Sequence, residues 1–336
     1  MFLNSWSLAL SLGSLMALFL LAMAARTAIR VLVCWDPGSD SSRQIRLESE
    51  IWLTSTLVKY ALGFQIAALI LFILAADQFC QVIVGAMCAT GALLANGYGL
   101  PALLVKLLGV FLYGFWIVAH QLDISAETYP LVRFKYFYLL LLVLPVLLVD
   151  VTLQTLYIAG LKPDIITSCC AVVFSTTPDA GRNLLAGFQQ PAVLRAFYST
   201  MVGLVVMGGV LLRRRPLILI SLFSLTWLLF LMIALVAIIT VISSYIYAMP
   251  FHHCPFCIIK AEYGYFGFAL YGTLIPAAFF GISTAVIEPF KRQKALTATA
   301  GRYQKFAVLA SLILLIVFAL LSSYHLLVYM ITGGES

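Results

Sequence analysis

The chain has 336 residues, of which 63% are hydrophobic and only 10% charged, and its mean hydropathy is +1.06. Soluble domains average about 45–50% apolar and about 25% charged residues, so a soluble fold of this composition would have to expose its apolar excess, and a soluble enzyme is excluded. The net charge of +7 and pI near 9.0 then point to basic cytoplasmic loops and not to nucleic acid.

A helix crosses a bilayer with about 20 mostly apolar residues. Eight stretches qualify: 6–30, 52–76, 101–120, 136–160, 197–212, 217–246, 261–288 and 306–331. The first ends in Ala22-Met23-Ala24, which looks like a signal-peptide cleavage site. However, no Lys or Arg precedes it, and Arg26 and Arg30 follow it, so it reads as a retained span with its N-terminus outside. The fifth is short and Gly-rich, and eight spans would leave both termini outside. This orientation puts fifteen of the twenty basic residues inside, among them Arg43, Arg46, Arg133, Lys135, Arg213–Arg215, Lys291, Arg292 and Lys294. The expected fold is an all-α polytopic membrane bundle forming one domain over 1–336. Spans two to four and six to eight start about 160–170 residues apart, which suggests parallel halves at 1–165 and 166–336.

Six of the seven cysteines fall in the three outer segments 77–100, 161–196 and 247–260: Cys80 and Cys88, Cys169 and Cys170, Cys254 and Cys257. Cys34 alone is expected inside. Such sorting suits the outer face of a bacterial cytoplasmic membrane, where disulfides persist, and the expected location is that membrane with the cysteines on the periplasmic side. Six cysteines allow 15 connectivities, and spacing does not choose among them.

The sharpest local feature is Phe251-His252-His253-Cys254-Pro255-Phe256-Cys257, just before the seventh span. A C-x-x-C at a helix start gains thiolate character from the helix dipole, and His253 as an imidazolium would add to it. Cys254 would then attack and Cys257 resolve, with Glu262 relaying a proton. Cys-Pro-Phe-Cys resembles the glutaredoxin tetrapeptide over those four residues. In this reading Cys80, Cys88, Cys169 and Cys170 are redox partners, a quinone is the candidate electron acceptor, and a periplasmic thiol protein is the candidate exchange partner.

The same residues are also metal ligands by type. His252, His253, Cys254 and Cys257, with Met249, Met87 and Cys88 in nearby segments, suit copper(I) or zinc. A c-type haem is disfavoured because Ile258, not His, follows Cys257. The third reading is a subunit that joins other membrane proteins and uses its cysteines only as structural disulfides.

Asp150 lies near the middle of the fourth span, where an unpaired charge is costly, and Lys106 in the third span is its candidate partner. Of the histidines, only His325 lies well inside a span, with His120 at an inner end, so a bis-histidine membrane haem is disfavoured. Trp35, Trp52, Tyr60, Tyr98, Tyr263 and Tyr265 fall near span ends and read as interfacial anchors.

Overall fold

The helix starts follow from local chemistry. In the computed structural model, the side chain of Asn4 accepts from the Trp6 amide and opens α1 (Ser5–Cys34), and Ser41 does the same for Gln44 at the start of α2 (Ser42–Phe79). A short helix, α3 (Ala89–Leu93), precedes α4 (Gly99–Ile124) and α5 (Val132–Ala159). Then follow α6 (Gln190–Arg213), with Pro191 in its first turn, and α7 (Leu217–Tyr247), which starts after Pro216. The last two are α8 (Phe266–Val286) and α9 (Thr297–Thr332). The structure describes residues 4–36, 38, 41–83, 86–126, 128–162, 189–249 and 252–332.

Among the described residues there is no strand, and eight helices are long and apolar enough to cross a membrane. The chain is an all-α polytopic membrane protein. Most helices run past the apolar cores seen in the sequence: α2 starts ten residues before position 52, because polar helical turns are invisible to hydropathy. The fifth stretch is a full helix of 24 residues. The seventh is the exception, since α8 starts at Phe266 and not near 261.

Contacts divide the chain into two compact units. The first comprises Met1–Val84, Ala92–Ile165 and Arg292–Thr299, and the second Gly85–Gly91, Ile166–Lys291 and Ala300–Ser336.

In the first unit α1 packs on α2 and α5, and α4 packs on both α2 and α5. The buried stripe of α1 (Leu10, Ser14, Ala17, Leu21, Ala24, Ala28, Val31) is spaced three and four residues apart and is mostly small. Its exposed positions carry Leu12, Leu15, Met16, Phe19 and Met23. Small residues inside and large apolar ones outside are what close helix packing in lipid requires. Trp35, expected as an interfacial anchor, belongs instead to this unit's buried core, and its carbonyl accepts from Arg133 at 2.6 Å. In α5 the segment Leu139–Val143 widens to a π-helix just ahead of Pro145, which lacks the amide that a regular ladder would use.

In the second unit α6 and α8 each pack on α7. Its core is aromatic: the rings of Phe197, Phe230 and Phe318 meet at 5.5–6.2 Å, and Trp227 stands 5.7 Å from Phe230. A Cβ on Gly281 would stand 2.1 Å from the Trp227 ring, so glycine is needed where α8 crosses α7. α7 widens to a π-helix at Ile238–Ile242 and ends at Ala248, whose φ of 52° turns the chain left-handed toward the cysteine segment.

Candidate functional site

The second unit brings together Cys88, Cys254 and Cys257. Their three sulfurs lie within 4.8 Å of one another, and all three residues are buried. Cys88 stands just before α3. Cys254 lies in irregular chain after α7, and Cys257 opens a 3₁₀ turn, Cys257–Ile259. The expectation that the C-x-x-C caps the seventh span is therefore overturned. Gly264 and Tyr265 both take left-handed φ values, 61° and 57°, and separate the motif from the first turn of α8. The dipole of a long helix thus does not act on these sulfurs.

Several hydrogen bonds set the geometry. Cys254 Sγ lies 3.4 Å from Cys88 Sγ and 3.2 Å from Thr90 Oγ1. The Tyr247 hydroxyl, at the end of α7, donates to the Cys254 carbonyl, and the Tyr271 hydroxyl on α8 donates to the Pro255 carbonyl at 2.8 Å. Two helices thus clamp the backbone of the motif through tyrosines. The turn itself lies against Gly267, where a Cβ would stand 2.8 Å from Ile259 Cγ1.

The sulfurs are thiols and not disulfides, since a disulfide bond is about 2.05 Å long. Hydrogen bonds that the Cys257 thiol donates to the Cys254 and Cys88 sulfurs, then burial, push it well above its ordinary range. This reverses the expected activation by a helix start. Three sulfurs so close cannot all ionise unless a cation lies among them.

His252 packs its ring edge-on to Tyr247 at 4.5 Å, and its Nε2 is buried with no hydrogen-bond partner. Burial holds its imidazole below the ordinary histidine range, although Cys88 pulls the other way, so the ring is neutral at pH 7. His253 is buried, and Glu262 is exposed on the 3₁₀ turn Ala261–Tyr263. Met87 and Met249 are exposed.

The remaining candidates stand elsewhere. The Cys80 thiol donates to the Asp77 carbonyl at 2.8 Å within the first unit, so it is Cys88 alone of that outer segment that joins the C-x-x-C. Cys169 and Cys170 lie outside the described residues. Lys106 and Asp150 form a buried ion pair at 3.0 Å, and the Lys106 ammonium sits 5.4 Å over the Phe72 ring. A second buried pair in the same unit, Lys135 with Asp123 at 2.8 Å, stands beside His120. His325 on α9 contacts the rings of Phe266 and Tyr324.

Thr90, Tyr247 and Tyr271 were not anticipated from the sequence. Only the clustering of tyrosines around the motif hinted at them. The chain matches no protein-family model, no curated protein and no solved structure.

Proposed function

We propose that the chain is a membrane metalloprotein in which Cys88, Cys254 and Cys257 hold a soft metal ion, zinc or copper(I). The observation that carries this reading is the convergence of three buried sulfurs from segments 166 residues apart. Sulfurs placed tetrahedrally at about 2.3 Å from zinc stand about 3.8 Å from each other. The spread from 3.4 Å to within 4.8 Å brackets that value. The basic residues favour an orientation with these cysteines on the outer side, and the sorting of cysteines to that side suits the periplasmic face of a bacterial cytoplasmic membrane.

A thiol–disulfide relay is the second reading, and the 3.4 Å approach of Cys88 to Cys254 favours it. With that contact, Cys254 has two neighbours for internal exchange, and a quinone would accept the electrons. Against it stands the burial of Cys254, fully enclosed at 0% exposure, because exchange with a partner protein needs an attackable sulfur.

One purification separates these readings. The full chain is prepared in nanodiscs with and without oxygen, and metal and free thiols are both counted. Stoichiometric metal that disappears in Cys257→Ser supports the metal centre. A metal-free protein whose thiols open and close reversibly supports the relay. Permanently oxidised, metal-free cysteines would overturn both and leave a structural disulfide.

A further inference from the structure

We infer that the Cys88, Cys254 and Cys257 sulfurs form a three-coordinate site for trivalent arsenic, taken up as uncharged arsenous acid. The inference deepens the metal reading above and rests on these sulfurs forming one ion-binding group.

The donor set carries it. Among the described residues the group holds three ligand atoms, all of them sulfur, and no carboxylate or imidazole joins them within 4.8 Å. His252 and His253, expected as ligands, stand outside the group. Zinc held by three sulfurs needs a further ligand to complete its tetrahedron. Trivalent arsenic needs none, because its lone pair takes the fourth corner.

The spacing fits the same ion. Bonds of about 2.3 Å to sulfur set the sulfurs about 4 Å apart around a planar three-coordinate ion, and about 3.4–3.5 Å apart around a pyramidal one with angles of about 95–100°. Cys88 Sγ and Cys254 Sγ are 3.4 Å apart, and the Cys257 thiol donates to both. The surroundings hold this triangle: Thr90 Oγ1 lies 3.2 Å from Cys254 Sγ, and the Tyr247 and Tyr271 hydroxyls hold the motif's backbone.

Charge points the same way. Cys88, Cys254 and Cys257 are only 2%, 0% and 7% exposed, and net charge is costly to bury. Three thiolates leave two negative charges around copper(I), one around zinc and none around trivalent arsenic. Arsenous acid also brings its own proton acceptors. Each As–O bond gives way to an As–S bond, and each thiol proton leaves with the departing hydroxide as water. Three thiols thus release three waters, arsenic stays trivalent, and no base or oxidant is consumed. A small uncharged acid needs only a local opening at Cys257, the least enclosed of the three.

The test adds one equivalent of arsenite, without oxygen, to reduced and chelator-treated full chain in nanodiscs. The wild-type chain is expected to gain the mass of one arsenic less three hydrogens. X-ray absorption at the arsenic edge is expected to show three sulfur neighbours and no oxygen. Cys88→Ser, Cys254→Ser and Cys257→Ser should each lose the three-sulfur signal, whereas Cys80→Ser should keep it. An oxygen neighbour in the wild-type chain, or a three-sulfur signal that survives Cys88→Ser, would overturn the inference. So would a chain that binds zinc or copper(I) stoichiometrically and takes up no arsenic, and the metal reading would then stand. A chain that binds neither arsenic, zinc nor copper(I) would overturn the metal reading itself.

Discussion

Cys88 Sγ and Cys254 Sγ lie 3.4 Å apart, although 166 residues of chain separate them. Only packing within the second unit produces that approach. It makes the two cysteines of the 77–100 segment unequal, because Cys80 donates its thiol to Asp77 in the first unit. Cys88→Ser is therefore expected to lower zinc affinity about 100-fold or more, about 2.7 kcal/mol. Cys80→Ser is expected to leave it unchanged. Competition against a chromophoric chelator measures both, and equal losses would contradict the grouping.

The metal-free protein should also reveal its thiols through pH. Cys257 is held protonated by the hydrogen bonds its thiol donates to the neighbouring sulfurs and by burial. A raised thiol pKa leaves little thiolate at neutral pH, and thiolate is the species that alkylates. Alkylation of Cys257 should thus be slow at pH 7 and quicken as pH rises beyond the ordinary cysteine range. Mass spectrometry of the peptide at several pH values follows it. Fast modification near pH 7 would show an activated thiol and favour the relay.

Gly267 joins the cysteine turn to α8. A Cβ there would stand 2.8 Å from Ile259 Cγ1 and 3.0 Å from the Ile258 carbonyl carbon. Gly267→Ala should cost about 1–3 kcal/mol through overpacking and loosen the metal site as well. Gly272→Ala, one and a half turns further along, meets nothing within 4 Å. It should be neutral or stabilise α8 by up to about 1 kcal/mol through helix propensity. Thermal unfolding in detergent, with and without zinc, distinguishes the two.

The buried pair Lys106–Asp150 is a packing constraint in the first unit, with side chains only 1% and 2% exposed. One carboxylate oxygen, Asp150 Oδ1, already lacks a hydrogen bond. Lys106→Met would strand the carboxylate at a cost of about 3–5 kcal/mol. The double variant Lys106→Met/Asp150→Leu should recover most of the loss, since two apolar side chains remove both desolvation penalties. Denaturant titrations of the single and double variants measure the coupling, and equal instability would show that the charges themselves are required.

Topology can be read chemically. The clustered Arg213, Arg214 and Arg215 at the end of α6 and the basic stretch near Lys294 are expected on the cytoplasmic side. In a Lys294→Cys variant, the peptide carrying position 294 should be modified by an impermeant maleimide only after the cells are opened, as mass spectrometry of that peptide reads. Modification of position 294 in intact cells would reverse the orientation.

Much of this was legible in one dimension. Eight apolar stretches specify eight helices, because a segment of about 20 residues must satisfy its own backbone within lipid whatever its neighbours do. The charge asymmetry and the C-x-x-C are equally local. The site was only half legible. Cys254 and Cys257 stand out by spacing, but the choice of Cys88 over Cys80 depends on which unit each segment packs against. The helix start after the motif was misplaced because Gly264 and Tyr265 adopt a left-handed backbone, which apolar content does not reveal. The tyrosine clamps and the Lys106–Asp150 pairing are side-chain contacts between helices. Hydropathy and spacing act over a few turns, whereas these contacts exist only once the helices have packed.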